Sequence, residues 1–306
     1  MAMIEVRNLT KTYGATVAVQ GLDFAVERGE IVGFLGPNGA GKTTTMRILA
    51  GSLGATEGEA LIDGIDVFRE PRRVKRRVGY LPEFPPLYTD MTVRGYLRFC
   101  GRVKGAADPR GAAERVIEQV GLREVAHRLI DHLSKGFRQR VGIAQALVHD
   151  PQVLILDEPA SGLDPGQRVE IRELVKRLAE GDVTVILSTH VLPEVEAICR
   201  RVVIVHEGRI VAEDAVEALS GGAGRDVRVR VARPTAELRT ALAAVPGVIA
   251  MQELEPGLFR IDAGEDVREG LAAAAVPGGL LELSSRRRLE EVFLELTGAP
   301  ASEEAS

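Results

Sequence analysis

Two short stretches of the chain carry residue types that handle phosphate. GPNGAGKTT, Gly36 to Thr44, contains the pattern G-x-x-x-x-G-K-[ST]. Gly36, Gly39 and Gly41 let the backbone turn its N–H groups inward around phosphate oxygens, with Pro37, Asn38 and Ala40 completing the cradle. Lys42 has the reach for β- and γ-phosphates, and the Thr43 hydroxyl suits Mg²⁺. Thr44 continues into a helix whose positive end faces the anion. The second stretch, LSKGFRQR, runs from Leu133 to Arg140. Ser134, Lys135 and Gly136 open another helix there, FRQRVGIAQALVH, and so make a second helix-terminus anion site.

Other residues supply metal binding and proton transfer. VLILDEPASGLDP is an apolar strand ending in Asp157, which would bring a carboxylate to the outer shell of the metal at the carboxyl edge of a sheet. Glu158 follows directly, and strand alternation is expected to turn it away from Asp157. There it could take a proton from attacking water, a role worth about 10²–10⁴-fold. LSTH places His190 at the end of a further apolar strand, in position to contact the γ-phosphate. Lys42, Thr43, Asp157, Glu158 and His190 together suit phosphoryl transfer to water. A small-molecule kinase on the same loop would leave LSKGFRQR and SGLDP without a job.

The elements that must position these residues are legible from periodicity. IVGFLG, Ile31 to Gly36, is nearly continuous apolar sequence, as a strand buried on both faces should be. It runs into the glycine loop, and Met46, Ile48, Leu49 and Leu53 then fall at helical spacing. Three more apolar runs, VLILD, VTVILSTH and RVVIVHEG, alternate with helical patterns, which predicts a parallel sheet with helices on both faces. MIEVRNLTKTYG and VAVQGLDFAVERGE read as preceding strands. From about 90 to 150 the strands give way to a helical insert. GGAG, Gly221 to Gly224, marks a linker over 221–225. Residues 226–298 read strand-helix-strand-strand-helix-strand plus a closing helix, a small ferredoxin-like α+β domain. The expected organisation is therefore an α/β domain over 1–220, the linker, the accessory domain and a disordered tail over 299–306.

Composition narrows the function classes. The chain has 306 residues, 45% hydrophobic and 27% charged, which suits roughly two globular domains. A net charge of −5 does not predict a nucleic-acid partner, and the basic runs Pro71 to Arg77 and Arg286 to Arg288 read as solvated faces. Two isolated cysteines, Cys100 and Cys199, suggest a reducing compartment without disulfides or metal-ligand spacing. MAMIEVRNLT lacks the features of a secretory leader, and no run is long and apolar enough to insert in a bilayer.

In order, KTYG, GPNGAGKTT, YLPE, LSKGFRQR, ILDEP, SGLDP and STH resemble the segments of ABC-type ATPases, over residues 1 to about 217. LSKGFRQR is the most specific, because other phosphate-loop ATPases lack it. The resemblance implies a phosphate-loop ABC ATPase fold: parallel sheet core, antiparallel β subdomain and helical insert. It implies ATP and Mg²⁺ as ligands and a homodimer in which Ser134, Lys135 and Gly136 of one copy face the γ-phosphate held by the other. Asp164 in SGLDP resembles the loop residue that bridges the copies near the attacking water, and Tyr13 in KTYG the aromatic on which adenine stacks. Glu83 in YLPE stands where many such ATPases have a glutamine that touches Mg²⁺ and senses the membrane partner. That exchange, with YLPEFPPLYTDMTV and the closing LEEVFLELTG, resembles ATPase subunits of type 2 exporters. The function implied is ATP hydrolysis that energises a separate integral-membrane permease from the cytoplasmic face of the membrane. A soluble ABC ATPase acting on ribosomes or chromosomes is the alternative. Ribosome factors usually carry two cassettes and chromosome types a long coiled coil, and both would carry a basic footprint.

Overall fold

The structure is a computed structural model and describes residues 2–179, 181–219, 226–284 and 289–298. The expected 221–225 linker, the Arg286–Arg288 run and the 299–306 tail lie outside those residues. The chain divides between Glu213 and Asp214 into two compact units.

The first unit begins with a long hairpin, β1 (Ala2–Tyr13) and β2 (Thr16–Glu27), followed by β3 (Ile31–Leu35) and α1 (Lys42–Leu49). Next come β4 (Glu57–Ile62), β5 (Ile65–Asp66), α2 (Pro71–Arg77) and β6 (Val78–Leu81). The insert holds α3 (Val93–Lys104), α4 (Pro109–Gln119) and α5 (Lys135–Leu147). The sheet then resumes with β7 (Val153–Asp157), α6 (Pro165–Ala179), β8 (Thr184–Thr189), α7 (Leu192–Ile198), β9 (Arg201–His206) and β10 (Arg209–Ala215).

These strands form two sheets. One is antiparallel in its pairings, ordered β2-β1-β4-β5; the other is ordered β10-β9-β3-β8-β7-β6. In the second, β9, β3, β8, β7 and β6 pair in parallel. Alternation along β3 explains why its sequence is apolar throughout. Val32 and Phe34 enter a core shared with Met46, Ile48 and Leu49 of α1 and with the antiparallel sheet. Gly33 faces the other way, against Val195 and Cys199 around α7. Both faces are covered, so no position on the strand can be polar. The basic run of α2 has Arg72, Arg73 and Arg76 exposed around a buried Val74, the pattern of a solvated helix face.

Sequence reading had no signal for the short strands β4, β5, β6 and β10. Each is too brief, or too mixed in composition, to show a period.

The second unit takes in α8 (Val216–Leu219), β11 (Asp226–Val231), α9 (Ala236–Ala243), β12 (Val248–Glu255), β13 (Leu258–Ala263), α10 (Arg268–Ala275), β14 (Leu280–Ser284) and α11 (Leu289–Thr297). Its sheet order, β12-β13-β11-β14, is the ferredoxin-like arrangement, and neighbouring strands pair antiparallel. Val227, Val229 and Val231 alternate with arginines on β11, and their buried side forms a core with Leu238, Leu242, Phe259, Ile261 and Leu271.

Phe259 is fully buried in this second core. Phe259→Ala should cost about 3–5 kcal/mol through lost burial and the cavity left behind. Hydrogen exchange should then speed up in the amides of β11 to β14 and stay unchanged in β3, β7 and β8; equal acceleration in both sets would mean the cores are not separate.

Candidate active site

Strand register assembles the site. Leu35 pairs with Thr189, Asp157 with Ser188, and Leu81 with Leu156. Each of these strands ends within a residue or two of its chemical group. The loop at Gly36, His190, the Asp157–Glu158 pair and Glu83 therefore emerge side by side at one sheet edge. A cleft of about 400 Å³ opens there, lined by Asn38, Gly39, Gly41, Lys42, Thr43, Thr44, Glu83, Glu158 and His190. That volume lies within the ordinary range for a small-molecule site.

The glycine loop wraps the N-terminus of α1. Gly41 is the N-cap residue, with φ of 98°, a conformation that residues with a Cβ rarely adopt. A Cβ there would also collide with the Ala18 carbonyl of β2, so the hairpin closes over the loop from behind. Lys42 is 6% exposed; its Nζ donates to Gly36 O at 2.7 Å and Pro37 O at 3.2 Å. The ammonium is thereby folded back over its own loop and lies 3.5 Å from Glu158 Oε1.

Asp157 is fully buried. Ser188 Oγ donates to its Oδ1 at 2.9 Å, while its Oδ2 has no hydrogen-bond partner. Burial pushes the carboxyl above the usual aspartate range, with the Ser188 hydroxyl pulling against it. An orphaned carboxylate oxygen beside Thr43 and Glu83 fits a hard cation that takes its remaining ligands from phosphate and water. Among the described residues, no cluster of three or more His, Cys, Asp or Glu could hold a metal alone.

Glu158 departs from the expected strand alternation. The strand stops at Asp157, and Glu158 has φ of 49°, in the left-handed region. For a non-glycine residue that costs on the order of 1–3 kcal/mol. The turn, anchored by Glu158 N donating to Ser188 O at 2.8 Å, is what swings the carboxylate into the cleft. His190 Nδ1 lies 3.0 and 2.9 Å from the two carboxylate oxygens. Burial raises the Glu158 pKa, but the His190 hydrogen bond and the charges of His190 and Lys42 outweigh it, so the net direction is down. For His190 the Glu158 hydrogen bond dominates and the net direction is up.

The other expected residues lie apart from this cleft. Tyr13 ends β1, 47% exposed, with Lys11 Nζ 5.2 Å from its ring centroid. Ser134 caps α5, its Oγ accepting from Phe137 N at 3.4 Å. Lys135 follows it, and Gly136 lines a second cleft of about 190 Å³ with Ser134, Phe137, Arg140 and Gln167. Asp164 Oδ1 accepts from Gln167 N at 2.9 Å ahead of α6. None of these groups lines the first cleft. Sequence reading missed three neighbours of the first site. Ser188, the register partner of Asp157, lies in a strand that also holds Thr184 and Thr189, so its type alone did not single it out. Ala18 and Ser161, which line the cleft, carried no signal.

Fold and site together define a phosphate-loop nucleotide hydrolase with a helical insert. A profile described as ABC transporter matches residues 19–161. Over 99% of this chain and 94% of the relative, the sequence is 36% identical to the daunorubicin/doxorubicin resistance ATP-binding protein DrrA of Streptomyces peucetius. It is 34% identical to the linearmycin resistance ATP-binding protein LnrL of Bacillus subtilis, over 97% of this chain and 98% of that one. Among solved structures, the cassette MJ0796, a dimer in a post-hydrolysis state bound to ADP and Pi, superposes with a TM-score of 0.64 at 28% identity. That match covers 70% of this chain and 98% of the other. The chain belongs to the ABC transporter family. It is an ATP-binding, ATP-hydrolysing subunit of that family.

The Glu158–His190 pair sets a pH window. Because the His190 pKa is raised, its share of the pairing is fully present below about 6.5 and is lost as pH climbs through the raised value. Because the Glu158 pKa is lowered, its share is present above about 4.5 and is lost as pH falls through the depressed value. His190 ring resonances should therefore titrate above the ordinary histidine value, and E158Q should bring them back down. An unchanged midpoint in E158Q would show that the carboxylate does not hold the ring.

Proposed function

We propose that the cleft binds ATP with Mg²⁺ and that Glu158 activates the attacking water. The carrying observation is the junction of Lys42, Glu158 and His190: 3.5 Å from Nζ to carboxylate and 2.9 Å from carboxylate to imidazole, at the mouth of the glycine loop. Gly36 to Thr44 cradle the phosphates through backbone N–H groups. Thr43 and Glu83 hold Mg²⁺ with Asp157 behind them, and the ion neutralises charge on the β- and γ-phosphates when bound. Tyr13 offers its exposed ring to adenine.

The charge arrangement describes the step that follows binding. Lys42 turns from the Gly36 and Pro37 carbonyls toward the incoming phosphates. Glu158 then loses a neighbouring cation and becomes a stronger base. It accepts the proton from water while His190 keeps the carboxylate oriented and contacts the γ-phosphate.

Two copies pair head to tail. Ser134, Lys135 and Gly136 of one face the phosphates held by the other, and Asp164 bridges near the water. That none of these groups lines the cleft holding the phosphate loop of its own chain supports this. The pair sits on the cytoplasmic face of the membrane beneath a separate permease, which docks at Glu83 and the exposed Phe84 and Tyr88. Among the described residues no helix is long and apolar enough to cross a membrane. Relatives named for resistance to daunorubicin and linearmycin support an amphipathic drug-like cargo, chosen by the permease.

Lys42→Ala should abolish ATP binding, measured by a fluorescent ATP analogue. E158Q should bind ATP, lose turnover and elute as a dimer in millimolar ATP. If it elutes as a monomer, the shared-site reading is wrong.

A further inference from the structure

The second cleft lies between the two helices whose N-termini carry the partner-facing residues. On α6, Gln167, Glu170 and Ile171 fall three and four positions apart and share a face. On α5, Gly136 and Arg140, four apart, share the facing one, and both sets line the same cleft. Residue numbers rise together across the contact. Gly136 meets Gln167, and Arg140 Nη2 donates to Glu170 Oε2 at 2.6 Å. The helices therefore run side by side in one direction, with both N-termini at the same end.

Gln167 touches both of those ends. Its backbone N–H donates to Asp164 Oδ1 at 2.9 Å and closes the cap of α6. Its side-chain amide fills the space that Gly136 leaves by lacking a Cβ: a methyl there would come within 2.9 Å of Cδ and Oε1. Lys135 reaches over from the same loop, its Nζ lying above Gly162 in the SGLDP turn. Farther along, the Arg140–Glu170 pair has its carboxylate side chain 61% exposed, and an ion pair open to water contributes little. Near the phosphate-seeking ends the two turns are fastened by Lys135 over Gly162 and by the Gln167 amide packed on Gly136.

We infer that Gln167 is a positioning residue: it joins the 133–136 turn and the SGLDP turn into one rigid block that enters the partner's phosphate site as a unit. The inference rests on the shared-site reading above. Groups that complete a partner's site must be held to within about 0.5 Å, and two glycine-containing turns do not hold themselves to that tolerance. Packed against one residue, they arrive together. Gly136 has no side chain so that Gln167 can seat there.

The test places Q167A in the E158Q background and, separately, in the otherwise native chain. ATP-driven pairing, read by sedimentation, should require roughly ten- to a hundredfold more protein, and turnover of the native-background variant should fall by a similar factor. Binding of a fluorescent ATP analogue to the single chain should not change, because that cleft is built from other strands; the melting midpoint should hold as well. Q167M, unbranched and of similar length, should restore pairing and turnover by refilling the seat. Several results would overturn the inference: Q167A pairing and turning over like its parent, Q167M failing to rescue, or single-chain nucleotide binding falling with Q167A. E158Q alone remaining monomeric in ATP would overturn the shared-site reading itself, and is distinguishable because it appears without any change at Gln167.

Discussion

Parallel pairing of β3, β8, β7 and β6 is the constraint on which the rest depends. In a parallel sheet every strand presents its carboxyl end at the same edge, so groups placed just after several strands are gathered without any long-range search. Here that edge collects a phosphate loop, a buried aspartate, a glutamate and a histidine from segments more than a hundred residues apart in sequence. The apolar character of the four strands is the cost of this arrangement, since both faces are covered and a polar side chain within them needs a hydrogen-bond partner. Ser188 is the instructive case, a buried hydroxyl that satisfies one oxygen of Asp157.

Charge at the edge is balanced rather than neutral. Lys42 and His190 hold the Glu158 carboxylate from two sides, and that keeps it ionised in spite of burial. Burial, with the Glu158 and Glu83 charges nearby, pushes Asp157 the other way against the Ser188 and Thr43 hydroxyls. Two adjacent carboxylates thus have opposite tendencies, set by what surrounds each. One has an unsatisfied oxygen, and the other is held between Lys42 and His190. The left-handed backbone at Glu158 is what makes the division possible, because an extended residue there would not turn toward Lys42 and His190.

The two-turn design also explains the insert. Helix α5 enters the chain between β6 and β7, so its N-terminus is free to stand away from the phosphate loop. Its contact with α6 links it to the segment that follows Asp157 and Glu158. Movement of either helix is then felt by the other, which suits a machine whose halves must close and open together.

The chain's own alphabet determined a good deal. Long apolar runs, the glycine spacing at Gly36 to Gly41 and the carboxylates after VLIL were enough to read an α/β core and to expect the loop and the two carboxylates at its edge, because those signals are local and arise from period and turn chemistry. The ferredoxin-like order of the second unit was legible for the same reason, its strands and helices alternating at clear intervals. Tertiary structure alone decided which strands were neighbours and so which groups share a cleft. It also decided that Glu158 turns by a left-handed residue rather than by pleat, that Ser188 supports Asp157, and that Gln167 fills the space beside Gly136. Each of these is a contact between segments distant in the chain, and local composition contains no term for such a contact until the sheet register brings the segments together.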